Sequence, residues 1–430
     1  MTYRPRSDNR TPRGFKAAFR NLPIVLRQFV KKYLASWIFP AVFVIDGFII
    51  SLARIFPLRT QARSVVFVRT DNLGDFVLWL PAAKAIRAKW PWPGCRYILI
   101  ANHNWSRFAE ELGLFDSVIP LNRVRFQRNP FYRIAMIFRL ARIKAELLVT
   151  PIQSRDPTTA DTIARAINSE RKIASAGDSN NAYVNPSIPS HWYNELIPSS
   201  SNSTHESVRN KEFTESLTDI KVGDPWPQFV IPSPKQLPDA IKDQDYAVIA
   251  PGASSPQRLW PSEYFSRLAN KLSSEMFLGT VLIGTASERL ETAAVAHGCS
   301  GPLVDLTARL SINDLLAILG HAKLVVTNET GTAHLAAALR VPTLCIMGGG
   351  HFGRFLPYPK EARDSGIKVV ALHHPMLCFN CNWKCVYPIG YTDPAPCVSS
   401  VSVDAAWSAI KRLATHRPQS NEDRQKTPFD

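Results

Sequence analysis

The sequence has no HExxH run, and no acidic constellation stands out as a metal site, so nothing in it calls for a catalytic metal. It also lacks the mark of a cleavable signal peptide: the first thirty residues hold no apolar core followed by a small-residue cleavage site. A reducing, cytoplasmic setting is the default expectation. Acidic residues are scarce at the start. Residues 1–60 contain 11 Lys/Arg against 2 Asp/Glu, so +9 of the net +16 lies in the first seventh of the 430-residue chain. The rest is only mildly basic, which points to a localised anionic partner and not to a general nucleic-acid surface. The basic residues flank an apolar run and do not alternate with base-stacking aromatics, which further disfavours nucleic acid.

Only one apolar run is long enough to cross a bilayer. Tyr33 to Ala53 is 21 residues long, with Lys31 and Lys32 before it and Arg54, Arg59 and Arg63 after it. Pro40 and Asp46 near its middle argue against spanning, the aspartate costing ~2.5–3.5 kcal/mol at a bilayer centre. A helix or helical hairpin lying in the interface of an anionic membrane is the expectation, and a helix packed on the folded catalytic region is the alternative.

The seven cysteines are an odd number. Cys95, Cys299 and Cys345 fall in or near apolar segments, as core thiols do. Cys378, Cys381, Cys385 and Cys397 have spacings C-x2-C-x3-C-x11-C, two of them short enough for a structural zinc knuckle. Disulfides are the rival reading and are disfavoured in the cytosol.

From Ser64 onward, strands alternate with helices, which implies βαβ units and a parallel sheet. Expected strands include SVVFVR, RYILIAN (96–102), SVIPL (117–121), ELLVTPI (146–152) and KIASA (172–176). In the helix after TDNLGD, Pro81 is expected in the second turn, where its missing N–H costs least. The pattern fails from Asn185 to Lys242, a Pro/Ser/Asn-rich stretch with one short helix near Val208 to Leu217, and restarts at Tyr246. Ser262 and Ser311 are expected helix caps. Five regions follow: a basic apolar extension (1–63), a first α/β domain (64–184), a linker (185–242), a second α/β domain (243–415) and a disordered tail (416–430).

The stretch His321 to Gly350 is the most informative. Leu324 to Thr327 reads as a buried strand, Asn328 to Gly331 as a polar turn, His334 to Leu339 as a helix and Thr343 to Met347 as the next strand. A Thr-Gly-Thr turn opening a helix offers free N–H groups and the positive end of a helix dipole, which suit a phosphate. An ordinary capped turn is the plainer reading.

Three ordered motifs carry a resemblance. VVFVRTDNLGDFVLWLPAAKAIR, VIAPGASSPQRLWPSEYF and LVVTNETGTAHLAAALRVPTLCIMG are similar to the signatures of the ADP-heptose:lipopolysaccharide heptosyltransferases, glycosyltransferase family 9. HESVRN near His205 resembles that family's linker. The resemblance spans Ser64 to Val401 and implies two Rossmann-like domains facing a cleft, the GT-B architecture. It implies inverting transfer of a heptose from ADP-heptose to a lipid-linked lipopolysaccharide inner-core acceptor at the cytoplasmic face of the membrane, with no metal needed for catalysis. Transfer of another sugar, or a non-catalytic membrane-bound scaffold, are the alternatives.

The resemblance also implies roles. Asp75 would be the general base, although a helix N-cap also suits it. Arg258 would hold the donor diphosphate through its fork. Gly252, Ala253, Thr330, Gly331 and Thr332 would line the nucleotide and its phosphates, Glu329 would meet the sugar or ribose, and His334 would face the donor or pack. Arg69, Asp71, Asn72 and Gly74 would shape the acceptor side, Arg69 by holding an acidic group. Glu329 stands where the family has Asp, and Arg258 where it has Lys, which bears on the choice of sugar.

Overall fold

Two six-stranded sheets, parallel at every strand pair, are built from continuous apolar runs. The computed structural model describes residues 40–56, 63–89, 94–178, 190–199 and 204–415. The first sheet holds β1 (Ser64–Arg69), β2 (Arg96–Asn102), β3 (Ser117–Leu121), β4 (Lys144–Thr150), β5 (Asn168–Ser175) and β6 (Glu195–Ile197), in the order β3-β2-β1-β4-β5-β6. The second holds β7 (Tyr246–Ala250), β8 (Gly279–Leu282), β9 (Leu303–Asp305), β10 (Leu324–Asn328), β11 (Thr343–Ile346) and β12 (Val369–Leu372), in the order β12-β11-β10-β7-β8-β9. All six residues of β1 and all five of β7 are buried, as a parallel strand covered on both faces requires. The two Rossmann-like domains expected from the alternation are present.

In both sheets the strand order reverses beside the first strand, between β1 and β4 and between β7 and β10. Ligands bind outside the carboxyl ends of strands at such switch points. The loops after β1, β4, β7 and β10 therefore define where the site must be.

Six helices matter for position. They are α1 (residues 40–54), α2 (Leu73–Lys89), α3 (Arg123–Arg128), α4 (Pro130–Ala141), α5 (Glu206–Thr218) and α6 (Gly331–Ala338). Helix α2 packs on α5 and, across the domains, on α6. A single apolar cluster runs from Phe76, Trp79 and Leu80 of the first domain to Leu335 and Ala336 of the second.

Several expectations change. Helix α2 begins at Leu73, so Pro81 lies in its interior and not in its second turn. The buried side chains Trp79, Leu80 and Ala82 around the proline carry the helix through the lost hydrogen bond. The described part of 185–242 is more than a crossing: Glu195–Ile197 joins the first sheet as its sixth strand, and the expected short helix is the 13-residue α5. Ser262 is the first residue of its helix and gives no cap bond, whereas Ser311 forms a capping box with Asp314. The expectations for residues 1–39, Arg59 and the tail 416–430 lie outside the described residues.

The apolar segment is docked on the first domain. Phe43, Ile49, Ile50 and Ala53 of α1 are buried. Asp46 is buried as well and takes the Arg133 guanidinium of α4, Nε to Oδ1 at 3.0 Å. The aspartate that weighed against a bilayer thus faces protein. Among the described residues, no helix is long and apolar enough to cross a membrane.

Candidate active site

The cleft between the two sheets encloses about 1110 Å³ and is lined by loops from both switch points. Asp71, Asn72, Gly74 and Asp75 enter from the first domain, and Gly252, Ala253, Arg258, Glu329, Thr330, Gly331, Thr332 and His334 from the second. Every donor-side and acceptor-side residue expected from the sequence lines it except Arg69.

The glycines explain how close the domains come. A Cβ on Gly74 would sit 2.8 Å from His334 Cδ2, and one on Gly331 would sit 3.2 Å from Leu73 Cβ and 3.3 Å from the Gly74 nitrogen. The start of α2 and the start of α6 approach backbone to backbone, more closely than side chains at both positions would ordinarily permit. At Gly252 the constraint is Glu288, whose Oε1 would lie 2.1 Å from an added Cβ.

On the acceptor side, Arg69 is fully buried beneath the loop. Its guanidinium donates to the Pro151 carbonyl at 2.8 Å, to Asn210 Oδ1 at 3.2 Å and to the Asp75 carbonyl at 3.0 Å, and it pairs with Asp71 at 3.1 Å. The expectation that Arg69 holds an acidic acceptor group is corrected: its donors are spent on bracing the loop. Asn102 and Trp105 tie down the Asp71 carbonyl at 3.1 and 3.0 Å.

Asp75 is the third residue of α2, and its Oδ2 accepts the Asn72 N–H at 3.2 Å, so it does part of a cap's work from within the cleft. Burial, then the nearby Glu206 charge, push its carboxyl above the usual range. Burial pushes Asp71 up to about 7, against the pull of Arg69. Two adjacent carboxyls with raised pKa values suit proton transfer near neutral pH.

On the donor side, Asn328 at the end of β10 donates to the Pro251 carbonyl at 2.7 Å and accepts the Trp260 N–H at 3.1 Å. One side chain thus fixes the loop after β7 against the loop after β10, with Arg258 between the two contacts in sequence. Thr330 precedes α6 without a side-chain cap, which leaves the N–H groups of the first turn to another acceptor. Glu329 is buried, and its Oε2 has no hydrogen-bond partner among the described residues. Burial raises it to about 7, with Arg258 pulling the other way. An unpaired buried carboxyl at the cleft wall is costly and calls for a partner. His334 packs: its Nδ1 lies 2.9 Å from the Tyr358 hydroxyl, and burial lowers it to about 3, so it is a neutral ring.

The sequence reading missed several cleft residues. Arg354 reaches from the second domain to Ser154 Oγ at 2.7 Å and Glu206 at 3.0 Å. Trp383 lies over the Arg258 guanidinium with 4.5 Å to the ring centroid, and His351 bridges Arg258 Nη2 at 3.5 Å to Asn382 Oδ1 at 2.6 Å. No periodicity marks these residues. The one clue was the Gly348-Gly349-Gly350 run, whose missing side chains make room for Trp383 and Phe379.

The zinc knuckle is not formed. Among the described residues no group of three or more His, Cys, Asp or Glu side chains could hold a metal ion, and Cys378, Cys381, Cys385 and Cys397 are free thiols. The Asp243-Gln244-Asp245 triplet has acidic-pair spacing but lies at the amino end of β7, away from the cleft, with Asp245 paired to Lys323 at 3.0 Å.

Residues 187–375 match the model of glycosyltransferase family 9 (heptosyltransferase). Lipopolysaccharide heptosyltransferase 1 of Pseudomonas aeruginosa is 25% identical over 291 residues, 66% of this chain and 78% of the relative. Its Escherichia coli K12 counterpart is 22% identical over 294 residues, 66% of this chain and 87% of the relative. The chain is similar to glycosyltransferase family 9. Solved structures agree on the fold. The family 9 protein from Veillonella parvula aligns with a TM-score of 0.61 at 15% identity, covering 84% of this chain and 99% of that one. E. coli heptosyltransferase WaaC with ADP-2-deoxy-2-fluoro heptose aligns at 0.58 and 20%, covering 81% and 99%.

Proposed function

We propose that this glycosyltransferase moves a heptose from ADP-heptose to a lipid-linked lipopolysaccharide inner-core acceptor, with inversion, at the cytoplasmic surface of the membrane. The observation that carries the reading is the placement of two different kinds of loop across one cleft: paired raised carboxyls at 71 and 75, facing Arg258 and the open N-terminus of α6. The relatives' names supply the donor and acceptor class.

In this reading Asp75 takes the proton of the acceptor hydroxyl as it attacks the anomeric carbon from the face opposite the leaving group. Its position in the first turn of α2 aims it into the cleft, and its raised pKa keeps it basic enough to accept a proton. Arg258 and the N–H groups at Thr330, Gly331 and Thr332 take up the charge that gathers on the departing diphosphate. Glu329 finds its missing partner in a hydroxyl of the donor. Asp71 and Asn72 shape the acceptor side, held by Arg69 from below. These steps involve no metal.

The reading is tested by titrating the protein with ADP, UDP, GDP and CMP in a calorimeter. Preference for ADP by tenfold or more supports it. Equal or reversed preference replaces the adenine nucleotide donor with another nucleotide sugar.

A further inference from the structure

Helix α1 is apolar on both faces, yet among the described residues only one face is covered. The buried face holds Phe43, Asp46, Ile50 and Ala53; the outward face presents Val44, Ile45, Phe48, Leu52 and Ile55, with Phe48 71% exposed. Helix α4 runs alongside it, joined through Asp46 to Arg133 and through Arg142 Nε to the Phe56 carbonyl at 2.7 Å. Its outward face continues the patch with Phe131, 83% exposed, and Ile134. Scattered exposed apolar residues are ordinary, but this many on two helices bonded side by side mark an interaction site.

Its surroundings say what it meets. From Leu121 to Lys144 the chain carries seven Lys/Arg and no Asp or Glu. Arg133 is committed to Asp46, while Arg125, Arg128, Arg139 and Lys144 are exposed. Arg54 adds an exposed cation at the far end of α1. An apolar face bordered by cations of one sign is the pattern of an element lying in the interface of an anionic bilayer. A second copy of this chain would bring the same cations against them.

We propose that the outward faces of α1 and α4 form a docking surface for an anionic lipid bilayer, with Phe48 and Phe131 inserted below the headgroups. The surface adjoins the acceptor side of the cleft. Arg123 lines the cleft and opens α3, whose six residues, roughly 9 Å of helix, end two residues before α4. A bilayer seated on α1 and α4 would then deliver a lipid-linked acceptor from the side on which Asp71 and Asp75 stand. This purpose rests on the function proposed above; the binding itself does not, and it is measured without substrate.

The test is sedimentation of the full-length chain with vesicles of phosphatidylethanolamine and phosphatidylglycerol, or of phosphatidylcholine alone, beside the Phe48→Glu/Phe131→Glu double variant. The wild type should bind the anionic vesicles, bind the neutral ones at least tenfold more weakly, and lose anionic binding at least tenfold in the double variant, with ADP affinity unchanged. A single Phe131→Trp variant guards against misfolding of the double variant: its emission in excess of the wild type, which already holds ten tryptophans, should shift to the blue on vesicle binding and be quenched by brominated lipid. Equal vesicle binding by the double variant, or an indole at position 131 untouched by brominated lipid, overturns the proposal and assigns any membrane contact to residues 1–39. A concentration-dependent dimer that the double variant abolishes, without vesicle binding, overturns it in favour of a second copy.

Discussion

Arg354 of the second domain holds Glu206 of helix α5, Nε to Oε2 at 3.0 Å, while the Glu206 N–H donates to the Arg354 carbonyl at 2.8 Å. Arg209 grips the same carboxylate at 2.8 Å. Burial would raise Glu206, but Arg354 and Arg209 outweigh it and bring the carboxyl down to about 2. The pair spans the two halves next to Asp75 and sets the electrostatic field in which that residue titrates.

Neutralising Glu206 should therefore change the pH profile. Its charge helps to raise Asp75. In Glu206→Gln that push is gone and burial alone is left against Arg69 and Arg354, so the acid limb of kcat/KM should move to lower pH. A purely structural role for Glu206 would lower activity at every pH without moving the limb. The stability Glu206 contributes is fully present above 4.5 and is lost as pH falls towards 2.

Asp75→Asn should keep the fold and ADP affinity and lower turnover by about 10²–10⁴, the usual scale of general-base catalysis. Steady-state kinetics with calorimetric ADP titration reads both. Turnover like the wild type's would leave Asp75 with only its bond to the Asn72 N–H.

Arg258→Ala should weaken ADP binding roughly tenfold to a hundredfold, as expected for loss of a charge-assisted contact. Trp383→Ala should cost about 1 kcal/mol, roughly fivefold, because the ring fixes the guanidinium without touching the phosphates. In the double variant the Trp383 effect should disappear, a dependence that simple loosening of the cysteine-rich loop would not produce.

Glu329→Gln should separate stability from binding. The folded protein holds this carboxyl at about 7 against an ordinary 4.5, so the folded state binds the extra proton between those values. Wild-type stability is therefore penalised progressively as pH rises from 4.5 through 7. Thermal unfolding should show the variant gaining on the wild type from pH 5 to pH 8 while its KM for the donor rises. An equal difference at both pH values would mean that Glu329 is already paired.

What was legible in the sequence follows a physical divide. The strands β1, β7 and β10 were plain because parallel strands covered on both faces need unbroken apolar runs. The loops after them were plain because strand-end turns with Gly74, Gly252 and Gly331 are where ligands approach. Arg69 could not be read: a basic residue at a strand end looks like a ligand, and only the fold brings Pro151 and Asn210 to its donors. Arg354 and Trp383 stayed hidden for the same reason, since their partners lie 148 and 125 positions away in the chain. The cysteines misled because spacing states only what a loop can do. Packing of Trp383 and Phe379 onto the three glycines decided what that loop does.

Transfer of a heptose from ADP-heptose is read out by the mass and anomeric configuration of the product formed from ADP-heptose and a deacylated inner-core oligosaccharide. A mass gain of one heptosyl unit is expected, in the anomeric configuration opposite to the donor's, formed about 10²–10⁴ more slowly by Asp75→Asn, with no such product from UDP-, GDP- or CMP-sugars. Transfer from one of those sugars and none from ADP-heptose, or a heptosyl product that keeps the donor's configuration, would contradict it.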